Sequence, residues 1–80
     1  MEEADRHFRY LERIYSTAPI NAFYRPVLTV SERAAVVEVE VRPEFFHAAQ
    51  AVHGSVYFKC LDDAAYFAVN SVVTDVFVLT

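Results

Sequence analysis

The residues best suited to chemistry lie together at Ala51-Val52-His53-Gly54-Ser55, with Asp62 eight positions beyond Gly54. The small residues predict a turn that opens a helix. Eight positions is about two turns at 3.6 residues per turn. A helix start presents free backbone N–H groups at the positive end of its dipole, where a developing oxyanion can be held. An acid further along can act on a water or on a carbonyl carbon. The combination points to acyl-group chemistry.

Each of these residues also has a plainer role open to it. Asp62 also reads as a solvated helix residue, and Ser55 as an ordinary helix-start residue. His53 can satisfy backbone groups at the helix start, and Gly54 can serve only a tight turn. Asp63 is the internal control, because neighbours on a helix lie about 100° apart and cannot face the same carbonyl. It also suits an i,i+4 pair with Lys59. Ser55, Lys59, Asp62 and Tyr66 form a polar stripe, which is either a wall of a site or a solvated side. Cys60 has no evident His/Asn partner and reads as a small core residue. His7, His47 and His53 lack metal-ligand spacing, so no metal is expected.

The elements that must position these residues are short and apolar. Eighty residues allow one domain, spanning 1–80. A chain of this size buries a little over ~60% of its unfolded surface. Yet 55% of the residues are hydrophobic and 15% aromatic, more than so small a core can hold. A second subunit is the natural cover, so a homodimer or homotetramer is expected. The net charge of −4 and the lack of a basic run argue against nucleic acid. A single cysteine, no recognisable leader and no apolar stretch of about 18 residues lead us to expect a cytoplasmic protein with no membrane partner.

Glu2 to Tyr15 reads as a helix, with Phe8, Leu11, Ile14 and Tyr15 on one stripe and three acids in its first turn. Asn21 to Arg25 leads into a short strand at Pro26 to Val30, and Ser31-Glu32-Arg33 is a turn. Ala34 to Arg42 alternates, with Val37, Val39 and Val41 opposite Glu38, Glu40 and Arg42, and Pro43 ends it. Glu44 to Val52 is a loop or a single helical turn. Gly54 to about Val73 is the longest predicted helix, expected to pack Phe58, Leu61, Ala65, Ala68 and Val72 on a sheet. Asp75 to Thr80 reads as a buried strand. The class is α+β. A long helix wrapped by an antiparallel sheet is the hot-dog fold, and covering the helix would take further strands after Thr80. The chain therefore reads as the N-terminal part of a larger domain.

Val41-Arg42-Pro43-Glu44-Phe45-Phe46, then Val52-His53-Gly54-Ser55-Val56, then Leu61-Asp62-Asp63-Ala64-Ala65 resembles the hot-dog acyl-CoA thioesterases of the phenylacetate-pathway (PaaI-like) type. That family carries a strand ending in V-R-P-E, an H-G-G motif opening the long helix, and an acid nine residues after the histidine. Asp62 is nine residues after His53, and Asn70-Ser71 late in the helix is also similar. The likeness spans roughly residues 34 to 80. The second glycine of the motif is Ser55 here, and the loop asparagine and glycine correspond to His47 and Ala48.

The resemblance implies hydrolysis of an acyl-CoA, or another acyl thioester, to a carboxylate and a thiol. Gly54 and Asp62 would be the catalytic residues, and His47, His53, Ser55 and Tyr66 would bind substrate. No cofactor is implied beyond the CoA of the substrate. In the family the site lies between two subunits, so Asp62 would face the glycine turn of a partner chain. A reading from another class is a non-catalytic acyl-binding or assembly module of the same fold. A hot-dog dehydratase is disfavoured, since no matching His-and-Glu signature is present.

Overall fold

The computed structural model describes residues 2–73. The strand expected at 75–80 lies outside the described residues. The first helix, α1, runs Glu2–Thr17. Nothing within it breaks the backbone ladder, and Glu2, Glu3 and Asp5 in its first turn complement the dipole. Pro19, with no N–H to donate, follows shortly after its end. Its buried stripe is Phe8, Leu11 and Tyr15, with Ile14 partly packed, as the spacing predicts. A short helix, α2, at Asn21–Tyr24 replaces the expected lead into the first strand. Asn21 holds it to α1, its Nδ2 donating to the Tyr15 carbonyl at 2.8 Å.

Strands β1 (Val27–Ser31) and β2 (Ala34–Glu38) form an antiparallel hairpin. The turn between them takes Arg33 to a left-handed φ of 59°. Leu28 pairs with Val37 and Val30 with Ala35, and these four residues make one face of the sheet. That face joins Phe8, Leu11, Tyr15 and Phe67 in the core. The opposite face, with Val27 and Val36, is exposed. β2 is shorter than the alternation predicts and stops at Glu38.

A 3-10 turn at Pro43–Phe45 and a loop then lead to α3, Gly54–Asn70. Helix α1 lies along β1 and α3 along β2. Among the described residues this is a small α+β fold, with two helices on one face of a two-stranded sheet.

The long helix does lie on the sheet, but through a different side from the expected one. Phe58 is 70% and Leu61 72% exposed, Ala65 and Val72 are exposed, and Ala68 is half-buried. The inward side carries Val56, Phe67 and Asn70, flanked by Lys59, Asp63 and Tyr66. Polar residues are accepted there because specific partners satisfy them. Tyr15 Oη donates to Asp63 Oδ2 at 2.7 Å, and His7 Nε2 donates to the Asn70 carbonyl at 2.7 Å. Ser71 Oγ receives the Arg33 N–H at 2.7 Å and donates to the Ala68 carbonyl at 2.7 Å. The Phe67 ring meets Tyr15 edge-on at 5.1 Å between centroids. Such bonds remove the cost of burying polar groups. Apolar periodicity counts every one of those polar residues as solvated, and so selects the wrong side.

Candidate functional site

The structure divides the expected site residues between two places on α3. His53, Gly54 and Ser55 sit at its start, with His47 beside them in the preceding loop. Asp62 and Tyr66 lie further along. The eight-residue step from Gly54 to Asp62 is about 12 Å along the helix axis at 1.5 Å per residue.

The loop before α3 is well tied. Phe46 and Val52 form an isolated antiparallel bridge, the His47 N–H reaches the Ala51 carbonyl at 2.8 Å, and the His53 N–H reaches the Phe45 carbonyl at 2.7 Å. His53 is the N-cap residue of α3 in extended backbone, and its Nδ1 accepts the Ser55 N–H at 3.0 Å. A nitrogen that accepts a hydrogen bond carries no proton, so the His53 proton sits on Nε2. Ser55 Oγ lies 2.9 Å from the same Nδ1. His53 thus engages both polar groups of Ser55. The His47 and His53 rings meet edge-on at 6.3 Å between centroids.

This capping changes the expected inventory of donors. The Val56 N–H turns back to the His53 carbonyl at 3.0 Å, and the Ser55 N–H is held by His53. The Gly54 N–H makes no hydrogen bond among the described residues. The plainer reading of Gly54 as a tight-turn glycine does not hold. Its φ is not positive, and a Cβ added there would meet nothing within 4 Å. Nothing within the described chain demands glycine at position 54.

A cavity of ≈220 Å³ opens beside this helix start, lined by His53, Ser55, Val56 and an aromatic wall of Phe23, Tyr24 and Phe45. The three rings meet at 5.0–5.6 Å between centroids, Tyr24 stacked on Phe45 and Phe23 edge-on to both. The Arg42 guanidinium lies over Phe45 at 4.6 Å and donates to the Phe23 carbonyl. Sequence reading missed this wall because α2 was not expected. The signal for it is the pairing of Phe23-Tyr24 with Phe45-Phe46 around one arginine.

The second place centres on Asp63, whose role is structural. Asp63 Oδ2 accepts both the Tyr15 hydroxyl and the Lys59 ammonium, the latter at 2.6 Å. Lys59 further lies against the Tyr15 and Tyr24 rings, at 5.3 and 5.1 Å from their centroids. The Tyr15 hydroxyl is pushed well above the usual phenol range, by burial first and then by its bond to Asp63 and the charge there. Burial also pushes the Cys60 thiol up, with Lys59 opposing and Asp63 adding to the shift. Asp62, one residue away, is exposed and makes no hydrogen bond or ion pair among the described residues. The expected polar stripe is therefore split. Lys59 and Tyr66 turn toward the core, while Asp62 faces out.

Comparisons of the chain with protein-family models, curated proteins and solved structures find no match. Among the described residues no helix is long and apolar enough to cross a membrane.

Proposed function

We propose that this chain is a hot-dog-fold acyl-thioester hydrolase, acting on an acyl-CoA at a site shared between two copies. The observation that carries the reading is Gly54. It has an unengaged N–H at the start of a 17-residue helix and open space where a side chain would stand. A glycine that no contact within the chain requires suits close approach by a group from outside it. The motif residues His53, Gly54 and Asp62 and their spacing, which resemble the thioesterase pattern, add the acyl chemistry.

In this mechanism the Gly54 N–H donates to the thioester carbonyl oxygen, which gains negative charge as the tetrahedral centre forms. His53 holds the first turn of the helix in place through Ser55. His47 and the aromatic wall beside it border the acyl group. A span of about 12 Å along the axis is too long for Gly54 and Asp62 of one chain to act on one carbonyl. The acid is therefore Asp62 of a second copy, with Tyr66 beside it. That carboxylate either takes a proton from a water that attacks the carbonyl carbon, or attacks the carbon itself to give an anhydride that water then hydrolyses. In both routes the C–S bond breaks, the leaving sulfur takes up a proton from the water, and the products are a carboxylate and a thiol. A homodimer is the smallest assembly that completes the site, and no cofactor takes part.

Thiol release from short, long and aromatic acyl-CoAs tests the reading. Asp62→Asn keeps the shape and removes the base, so it should abolish most turnover. Gly54→Ala should fold normally and lower the rate, while Asp63→Asn should leave the chemistry largely in place. Near-normal turnover by the Asp62→Asn protein would refute the assignment. A second reading, an acyl-binding module without turnover, draws on the capture of Ser55 by His53, which leaves one oxyanion donor in place of two. Acyl-CoA binding with no thiol release would favour it.

A further inference from the structure

We propose that the groove between α1 and the outer edge of β1 binds the last residue of an extended peptide, through its backbone and its free carboxylate. The groove has a volume of ≈510 Å³ and is bordered by Arg9, Glu12, Arg13 and Ser16 of α1 and by Pro26 and Leu28. Along an antiparallel strand, residues alternate between those bonded across to the partner strand and those whose N–H and C=O point away from it. The Val30 groups point away, toward α1. The Val30 N–H donates to Glu12 Oε2 at 2.8 Å, and Arg9 Nη2 donates to the Val30 carbonyl at 2.9 Å. Two α1 side chains thus do the work of a neighbouring strand at that position. Leu28, two residues earlier and paired like Val30 with the opposite strand, turns its own N–H and C=O to the same edge. No α1 side chain bonds to them among the described residues.

The open stretch of edge is one residue long. Val30 closes it on one side, and on the other Pro26 has no N–H to offer. A long strand cannot add there, but a single residue running antiparallel to β1 can exchange two hydrogen bonds with Leu28. Its N–H donates to the Leu28 carbonyl, and its carbonyl oxygen accepts the Leu28 N–H. Running antiparallel, it points its C-terminal end toward Pro26, the end of the groove where Arg13 and Ser16 lie. The charge there suits a carboxylate. Arg9 is neutralised by Glu12, with Nε 2.8 Å from Oε1, while Arg13 makes no ion pair among the described residues. Two arginines against one glutamate leave the groove one positive charge in excess, on a chain whose net charge is −4. One carboxylate oxygen meets the Leu28 N–H and the other meets Arg13, a charge-assisted bond of the stronger kind. Residues directly opposite on paired strands share a face. Leu28 faces the core, so the ligand's side chain turns toward α1 and must be small.

The inference is independent of the thioesterase reading, and its test reads binding rather than turnover. The probe is N-acetyl-L-alanine, titrated at pH 7 into ¹⁵N-labelled protein and followed by amide chemical shifts. N-acetyl-L-alaninamide, alike in shape but uncharged, is the comparison. The expected result is saturable shifts that are largest at the Leu28 amide and at residues 13–16, with the amide binding about tenfold more weakly or worse. Arg13→Gln alters an exposed residue outside the core and should weaken the acid by a similar factor while leaving the amide unchanged. Four results would overturn the proposal. One is the absence of any saturable shift, and another is equal affinity for acid and amide. A third is unchanged affinity for the acid in the Arg13→Gln protein. The last is shifts of the same size at Arg25 and Arg33, the mark of general attraction to exposed arginines.

Discussion

Asp62 and Asp63 are adjacent and chemically identical, and the fold assigns them opposite duties. Replacing each with alanine separates those duties. Asp63→Ala removes the oxygen that accepts both the Tyr15 hydroxyl and the Lys59 ammonium. A hydrogen bond to a charged group contributes about 1.5–3 kcal/mol. The Lys59 side chain is only 15% exposed, so it would also lose its compensating charge in a poorly solvated place. Breaking a fully buried pair costs about 3–5 kcal/mol, and the 22% exposure of Asp63 lowers that figure. The expected loss is about 3 kcal/mol. In a domain of 60–100 residues each kcal/mol lowers Tm by about 4–8 °C, giving a fall of roughly 12–24 °C. Asp62→Ala, by contrast, removes no hydrogen bond or ion pair among the described residues and should stay within about 0.5 kcal/mol of the parent. Urea unfolding followed by circular dichroism measures both. A double-mutant cycle with Tyr15→Phe then isolates the Tyr15–Asp63 bond, expected to couple by about 0.5–3 kcal/mol. If the two alanine variants lost the same stability, or the cycle gave no coupling, the structural role of Asp63 would be refuted.

Other expectations come from the same packing. Leu11 is fully buried at the centre of the core, so Leu11→Ala should cost about 2–5 kcal/mol, while the exposed Leu61→Ala should cost under about 0.5 kcal/mol by the same denaturation assay. Tyr15 should set an alkaline limit to stability. Its folded-state pKa is raised, so its stabilising contribution is complete below the unfolded value of about 10 and is lost as pH rises through the folded value. Stability should therefore begin to fall above about pH 10, and Tyr15→Phe should flatten that limb. Cys60, with its thiol pushed up, should react with a disulfide reagent only at higher pH than a free thiol does, as the pH profile of labelling would record.

Much of the secondary structure is legible along the chain. The stripe Phe8, Leu11, Tyr15 and the acids of the first turn define α1, because both are local features of a 3.6-residue repeat. The hairpin follows from the alternation of Leu28, Val30, Ala35 and Val37 about the two-residue turn Glu32-Arg33. The start of α3 at Gly54 and the Lys59–Asp63 pair are equally local. Two features are not. Helix α2 is a single turn whose anchor, the Asn21 bond to the Tyr15 carbonyl, is a contact with α1 that no periodicity encodes. The inward side of α3 was decided by partners far away in the chain: Tyr15 for Asp63, His7 for the Asn70 carbonyl, Arg33 for Ser71. The same holds for the candidate site. Residue types and spacing select His53, Gly54 and Asp62, but only the folded chain distinguishes, among the described residues, the free Gly54 N–H from the captured Ser55 N–H, and unpaired Asp62 from paired Asp63. Local pattern determines which elements form. Which side of an element is buried depends on whether its polar groups find hydrogen-bond partners there, and those partners come together only in the tertiary structure.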